Sequence, residues 1–245
     1  MSNPLSRIPR AHSQIDSTKG LPYIPKKPLP AKSFCMYIVG APGSGKTNLW
    51  NSMMTSKTPL YYRGFFHHVE MISGSLGTVS DKIRRLLPDN QQHQQLEDDH
   101  VEELVQLLHD GPNTNNLIIL DDVIKGLKNS KIMAKIFLNR RHCTHDPDQE
   151  NQGGLAIMVT SQKYNLLPLE FRCACDHVIL FKTSNAKERI YIKEELMQDL
   201  DKQTQDDILN FAWKNPYSFL MIKCNAPTKN RYYQNFDQIN IDNDG

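Results

Sequence analysis

Between an apolar run, Phe34-Cys35-Met36-Tyr37-Ile38-Val39, and a helix-compatible segment from Asn48 to Met54, the chain reads Gly40-Ala41-Pro42-Gly43-Ser44-Gly45-Lys46-Thr47. No other stretch narrows the possible folds as far. The pattern G-x-x-x-x-G-K-[ST] joins a buried strand to a helix and turns successive backbone N–H groups inward around an anion. Glycines at 40, 43 and 45 permit the dihedrals this needs, and Ala41, Pro42 and Ser44 complete the cradle. Lys46 adds a point charge for β- and γ-phosphates, and Thr47 offers a hydroxyl to Mg2+. A helix starting near Lys46 directs the positive end of its dipole at the same oxygens. The expected ligand is therefore a nucleotide, held in a strand–loop–helix unit of an α/β domain.

The 245 residues suffice for one such domain with a substantial core. Apolar and charged contents of 39% and 23% fit a globular chain, while a net charge of +2 does not by itself mark a nucleic-acid binder. The sequence has no run of 18 uncharged apolar residues and no apolar signal-peptide core, so neither a membrane span nor export is expected. Five cysteines, Cys35, Cys143, Cys173, Cys175 and Cys224, form no C-x-x-C pair, and an odd count argues against a disulfide framework. His142, Cys143 and His145 are too crowded along the chain to surround one metal ion, so no zinc site is expected there.

Residues 1–32 carry Pro4, Pro9, Pro22, Pro25, Pro28 and Pro30 and read as an extended tail, leaving residues 33–245 as the domain. Arg7, Arg10, Lys19, Lys26, Lys27 and Lys32 against Asp16 make the tail basic, either a solvated leader or an arm for phosphate or a partner. Beyond the loop and its helix, residues 65–72 read as a strand, and 80–87 and 98–108 as helices. The polar stretch 89–95 between those helices is expected to be a surface loop without chemistry.

Leu117-Ile118-Ile119-Leu120-Asp121-Asp122-Val123 then suits a central strand buried on both faces, with its acids at the carboxyl end where open α/β sheets bind ligands. In this Walker B pattern Asp121 would hold Mg2+ through water, and Asp122 would orient and deprotonate the attacking water. Residues 154–160 form another buried strand running into Ser161-Gln162, and an amide there can accept from the lytic water and donate to the γ-phosphate. Residues 130–138, 166–175, 186–196 and 202–213 are helical in pattern. Residues 177–182 and 217–222 read as strands, and 231–239 as a short edge strand.

GAPGSGKT after an apolar strand, LIILDDV, NRRHC, GLAIMVTSQ, LPLEFRCACDHVILFK and YSFLMIKC, in that order, resemble the poxvirus-type genome-packaging ATPases of the FtsK–HerA superfamily. The resemblance covers residues 33–240 and is greatest to the versions in virophages, polinton-like elements and large DNA viruses. It implies an α/β P-loop NTPase fold of the RecA/ASCE type, with a mostly parallel sheet in the order 5-1-4-3-2 and extra C-terminal strands. It further implies a homo-oligomeric, hexameric ring that hydrolyses ATP with Mg2+ to drive double-stranded DNA into a preformed viral capsid. Such a motor works in the host cytoplasm or a viral factory, with transient presence on the virion. Asp121-Asp122 departs from the Asp-Glu usual in the superfamily, so that either the water sits closer to the shorter acid or Gln162 shares its positioning.

Ring ATPases complete their sites with an arginine from the neighbouring subunit. Arg141 in the RRH element is the first choice for that role and Arg172 the second, with Arg140 also considered. For DNA contact, Lys125, Lys128 and Lys131 follow Walker B in what reads as a loop. A ring helicase and a P-loop small-molecule kinase remain the alternatives. The kinase reading lacks an arginine-rich lid, and a purely structural nucleotide binder would not need Lys46, Asp121 and Asp122 together.

Overall fold

The computed structural model describes residues 21–79, 81–85, 87–110, 115–140, 143 and 154–241. The apolar run before the glycine-rich loop forms β1 (Cys35–Val39), every residue of it buried, and the loop leads into α1 (Lys46–Thr55). There follow β2 (His68–Ser73), α2 (Asp81–Arg84), β3 (Gln92–His93), α3 (Asp98–Asp110), β4 (Asn115–Asp121), α4 (Ile124–Asn129) and α5 (Lys131–Asn139). The chain continues through β5 (Gly154–Ser161), α6 (Leu169–Cys173), β6 (His177–Phe181), α7 (Ala186–Leu196), α8 (Lys202–Ala212), β7 (Phe219–Lys223), β8 (Tyr232–Gln234) and β9 (Asp237–Gln238).

Among the described residues these strands make one nine-stranded sheet, ordered β3-β2-β4-β5-β1-β6-β7-β8-β9. The strands from β3 to β6 pair in parallel, and β7, β8 and β9 are added antiparallel. The expected five-strand order recurs inside this longer sheet as β6-β1-β5-β4-β2. It differs by the two-residue β3 on one edge and by the antiparallel hairpins on the other.

Because side chains alternate across a strand, the sheet supports a separate apolar core on each face. Tyr37, Ile118, Leu120, Leu155, Ile157, Val159 and Leu180 face the helices α3 to α8. Met36, Ile38, Leu117, Ile119, Ala156, Met158 and Ile179 face α1, α2 and the aromatic group Tyr62, Phe65 and Phe66. A sheet sandwiched this way needs apolar residues at both parities, which explains why β4 and β5 read as continuous apolar runs rather than alternating ones.

Three expectations change. Residues 21–32 pack on the domain instead of trailing from it: Leu29 is buried, Tyr62 Oη donates to Pro30 O at 2.7 Å, and Tyr23 meets Phe65 edge-on. The lysine-bearing segment after Walker B is helix α4 and the start of α5, not a loop. The stretch 89–95 contains a helical turn and β3, which pairs with β2 through Met71–Gln92 and Ile72–His93. No described helix is long and apolar enough to cross a membrane.

Candidate active site

The parallel pairing aligns the carboxyl ends of β2, β4, β5 and β1, so Ser73 lies beside Asp121, Asp121 beside Thr160, and Ser161 beside Val39. The glycine-rich loop begins at this edge and is tied to it, Gly40 N–H donating to Ser161 O at 3.1 Å. Gly43 and Gly45 have φ of 75° and 105°, values that an L side chain resists, and they turn the backbone into a nest ahead of α1. No acid occupies the first turn of α1, so the positive end of its dipole is left for an anion.

Lys46 is buried, and its ammonium donates to Gly40 O at 2.7 Å and Ala41 O at 3.3 Å, across the mouth of the loop. Burial lowers its pKa, and the nearby Asp122 and Asp121 carboxylates pull it back up. Walker A and Walker B are thus close enough to be coupled electrostatically.

Asp121 and Asp122, adjacent in sequence, face different surroundings. Asp121 is buried and each of its oxygens accepts a hydroxyl, from Thr160 at 2.7 Å and Ser73 at 3.1 Å. Asp122 leaves the strand in the left-handed region, φ 57°, its N–H donating to Thr160 Oγ1 at 3.2 Å, and its carboxylate is exposed. Such backbone strain in a non-glycine residue clusters at functional sites. Gln162, also exposed, donates from Nε2 to Asp122 Oδ2 at 3.3 Å. Its strand end is fixed by Tyr37 of β1, whose hydroxyl lies 2.7 Å from Ser161 Oγ and 2.8 Å from Tyr164 O.

The chemistry of this edge fits a nucleotide with a hard divalent cation. Thr47 and Asp121 present oxygen ligands of the kind Mg2+ takes, and Asp121 is oriented by the two hydroxyls that donate to it. Lys46, Asp121, Asp122 and Gln162 meet at this edge.

The arginines do not. Arg172 makes a bidentate pair with Glu195, at 3.0 and 2.7 Å, donates to Leu167 O and lies over the Tyr164 ring. Arg140 is buried and donates to Ser33 O, Phe137 O and Asp176. Both are clamped within their own chain. Arg141, like His142 and His145, lies outside the described residues.

Sequence reasoning missed Thr160, Ser73 and Tyr217. The first two were visible only as polar residues ending apolar strands. Tyr217 is exposed, with φ 61°, and a Cβ added at Gly45 would meet its ring at 3.5 Å. Nothing in the order of the chain places it beside a loop so far upstream.

The NB-ARC domain profile matches residues 27–166, from the segment before β1 through Walker A, Walker B and Gln162. Among solved structures the chain is similar to the genome packaging NTPase B204 from Sulfolobus turreted icosahedral virus 2. Its complex with AMP is 15% identical and matches with a TM-score of 0.58, covering 86% of this chain and 100% of that one. Its complex with ATP-gammaS is 16% identical at a TM-score of 0.55, covering 84% and 98%. The pCW3 conjugation coupling protein TcpA is 14% identical at a TM-score of 0.50, covering 87% of this chain and 62% of its own. At these identities the likeness is one of fold, that of an α/β P-loop NTPase. No curated protein sequence matches the chain.

Proposed function

Given that the chain belongs to the NB-ARC domain family, we propose that it is an ATP-hydrolysing motor that moves double-stranded DNA into a preformed viral capsid. The observation that carries the enzymatic part is the convergence of Lys46, Asp121, Asp122 and Gln162 on one sheet edge, with Gln162 and Asp122 in hydrogen-bond contact. The DNA-packaging part is supported by the motif order of the poxvirus-type ATPases and by a fold shared with a genome packaging NTPase.

In this reading the loop N–H groups and Lys46 hold the phosphates of ATP, with Lys46 exchanging its loop carbonyls for phosphate oxygens. Mg2+, held through Thr47 and Asp121, supplies charge neutralisation on those oxygens when bound. Asp122 takes a proton from water while Gln162 orients it, and ADP and inorganic phosphate leave. The exposed Asp122–Gln162 pair is free to do this, whereas Asp121, engaged by two hydroxyls, is held in place. Exposed Lys125, Lys128 and Lys131 follow Asp122 directly on α4 and α5 and supply the basic surface for the DNA backbone. The ring is a homo-oligomer, hexameric by analogy, with Arg141 completing the neighbour's site, and it works in the host cytoplasm or a viral factory.

The test is ATPase activity on size-fractionated protein with and without duplex DNA. Turnover confined to an assembled fraction and raised by duplex DNA is expected. Lys46→Ala should abolish nucleotide binding, and Asp122→Asn should retain binding and lose turnover. Parental turnover by Asp122→Asn would remove the base assignment; unwinding of a forked duplex would select a helicase instead.

A further inference from the structure

On β2, two strands away from the P-loop strand's own neighbour, the Glu70 side chain is 2% exposed. A carboxylate so buried must be compensated, and its partners here are imidazoles. Glu70 Oε2 accepts from His68 Nε2 at 2.8 Å; Oε1 lies 2.5 Å from His93 Nε2 and 2.9 Å from His100 Nε2. The three histidines come from β2, β3 and α3, and the rings of His93 and His100 stand with centroids 3.9 Å apart.

Their roles differ. Gln91 Nε2 donates to His68 Nδ1 at 3.3 Å, which leaves the His68 proton on Nε2, facing Glu70. His68 is thereby fixed as a donor that orients the carboxylate. His93 and His100 both aim Nε2 at the other oxygen, and these three donor atoms lie within 4.8 Å of one another. Both imidazoles are about a quarter exposed, and a neutral imidazole that carries its proton on Nδ1 leaves Nε2 free to take a cation. Converging nitrogens from separate elements, a buried carboxylate oxygen and a further histidine bonded to that carboxylate are the parts of a metal site with its outer shell.

We propose that Glu70, His93 and His100 bind a zinc ion, with His68 as the positioning residue behind Glu70 and solvent at the fourth ligand position. Two imidazole nitrogens and one carboxylate oxygen favour zinc over magnesium or calcium, which take oxygen ligands. The ion ties β3, which has only two residues, and α3 to β2. Three residues beyond Glu70, the same strand ends in Ser73, whose hydroxyl holds the Walker B Asp121. The site is separate from the P-loop and stands whether or not the chain packages DNA.

Full-length protein stripped with chelator and titrated with zinc chloride in a calorimeter tests this. One equivalent should bind to the parent and to Lys46→Ala alike, unaffected by excess Mg2+. The double variant His93→Gln/His100→Gln keeps amide donors for Glu70 and should lose more than about 100-fold in affinity, since ligand removal exceeds the 10–100-fold effect of outer-shell changes. His68→Ala, which leaves all three ligands, should weaken binding by about 10–100-fold. Should the double variant not fold, the cobalt(II) form of the parent decides: a visible d–d band that disappears on adding zinc supports the site, and its absence overturns it. Unchanged zinc affinity in a folded double variant, or no zinc bound by the parent, also overturns it.

Discussion

Gly40 shows how closely the site is fitted at the level of single atoms. A Cβ at this position would stand 2.4 Å from Ser44 Oγ and 2.8 Å from Phe181 Cβ. The serine hydroxyl can rotate away, but Phe181 Cβ is fixed to the β6 backbone, so the loop itself must move. Gly40→Ala is expected to cost about 1–3 kcal/mol as an overpacked site, read as a lower thermal midpoint together with weaker binding of an ATP analogue. His177 offers a second, chemically different case. It is buried, both ring nitrogens lack a partner among the described residues, and burial lowers its pKa to about 4. The unfolded chain binds a proton near pH 6.5 that the folded one refuses. Stability from this residue is therefore complete above about pH 6.5 and declines as pH falls toward about 4, by on the order of 3 kcal/mol in all. Urea midpoints measured between these limits should show the slope, and His177→Leu should flatten it.

At the scale of elements, the junction of α4 and α5 turns on one serine. Ser130 has extended backbone dihedrals, accepts from Met133 N–H at 3.0 Å as the N-cap of α5, and donates its own hydroxyl to Asp98 on α3. It thus binds three helices on the face that buries Leu104, Leu127, Met133 and Phe137. Ser130→Ala should cost about 1–2 kcal/mol, typical of a lost cap, seen as a lower urea midpoint with an unchanged slope. The helices and central strands were legible because each has its own period: Val101, Leu104 and Leu108 line one face of α3, and β4 is apolar at both parities. The two-residue β3 was not legible. Gln92 and His93 carry no apolar signal, and their strand exists only because β2 supplies an edge to pair with.

Over the whole molecule, the arginines decide how a site can be completed by a neighbour. Arg140 and Arg172 are spent within their own chain, the first on Asp176 and the second on Glu195. In the proposed ring, Arg141 is the arginine assigned to the neighbour's site. Mixing Arg141→Ala with Lys46→Ala is expected to restore ATPase activity that neither variant has alone, because a mixed ring contains interfaces with an intact loop on one side and an intact arginine on the other. Failure to restore it in co-assembled rings would remove Arg141 from the site. By itself the sequence determined the P-loop, the Walker B acids and the buried strands, since each depends on neighbours along the chain: glycines that free a backbone, a lysine at fixed spacing, apolar side chains in a row. Only the tertiary structure decided that Thr160 and Ser73 hold Asp121, that Tyr217 flanks Gly45, and that Glu70 gathers three histidines from three elements. Those contacts depend on which strand ends lie side by side, and strand order is set by how two apolar faces are covered at once, a condition on the whole sheet that no local pattern encodes.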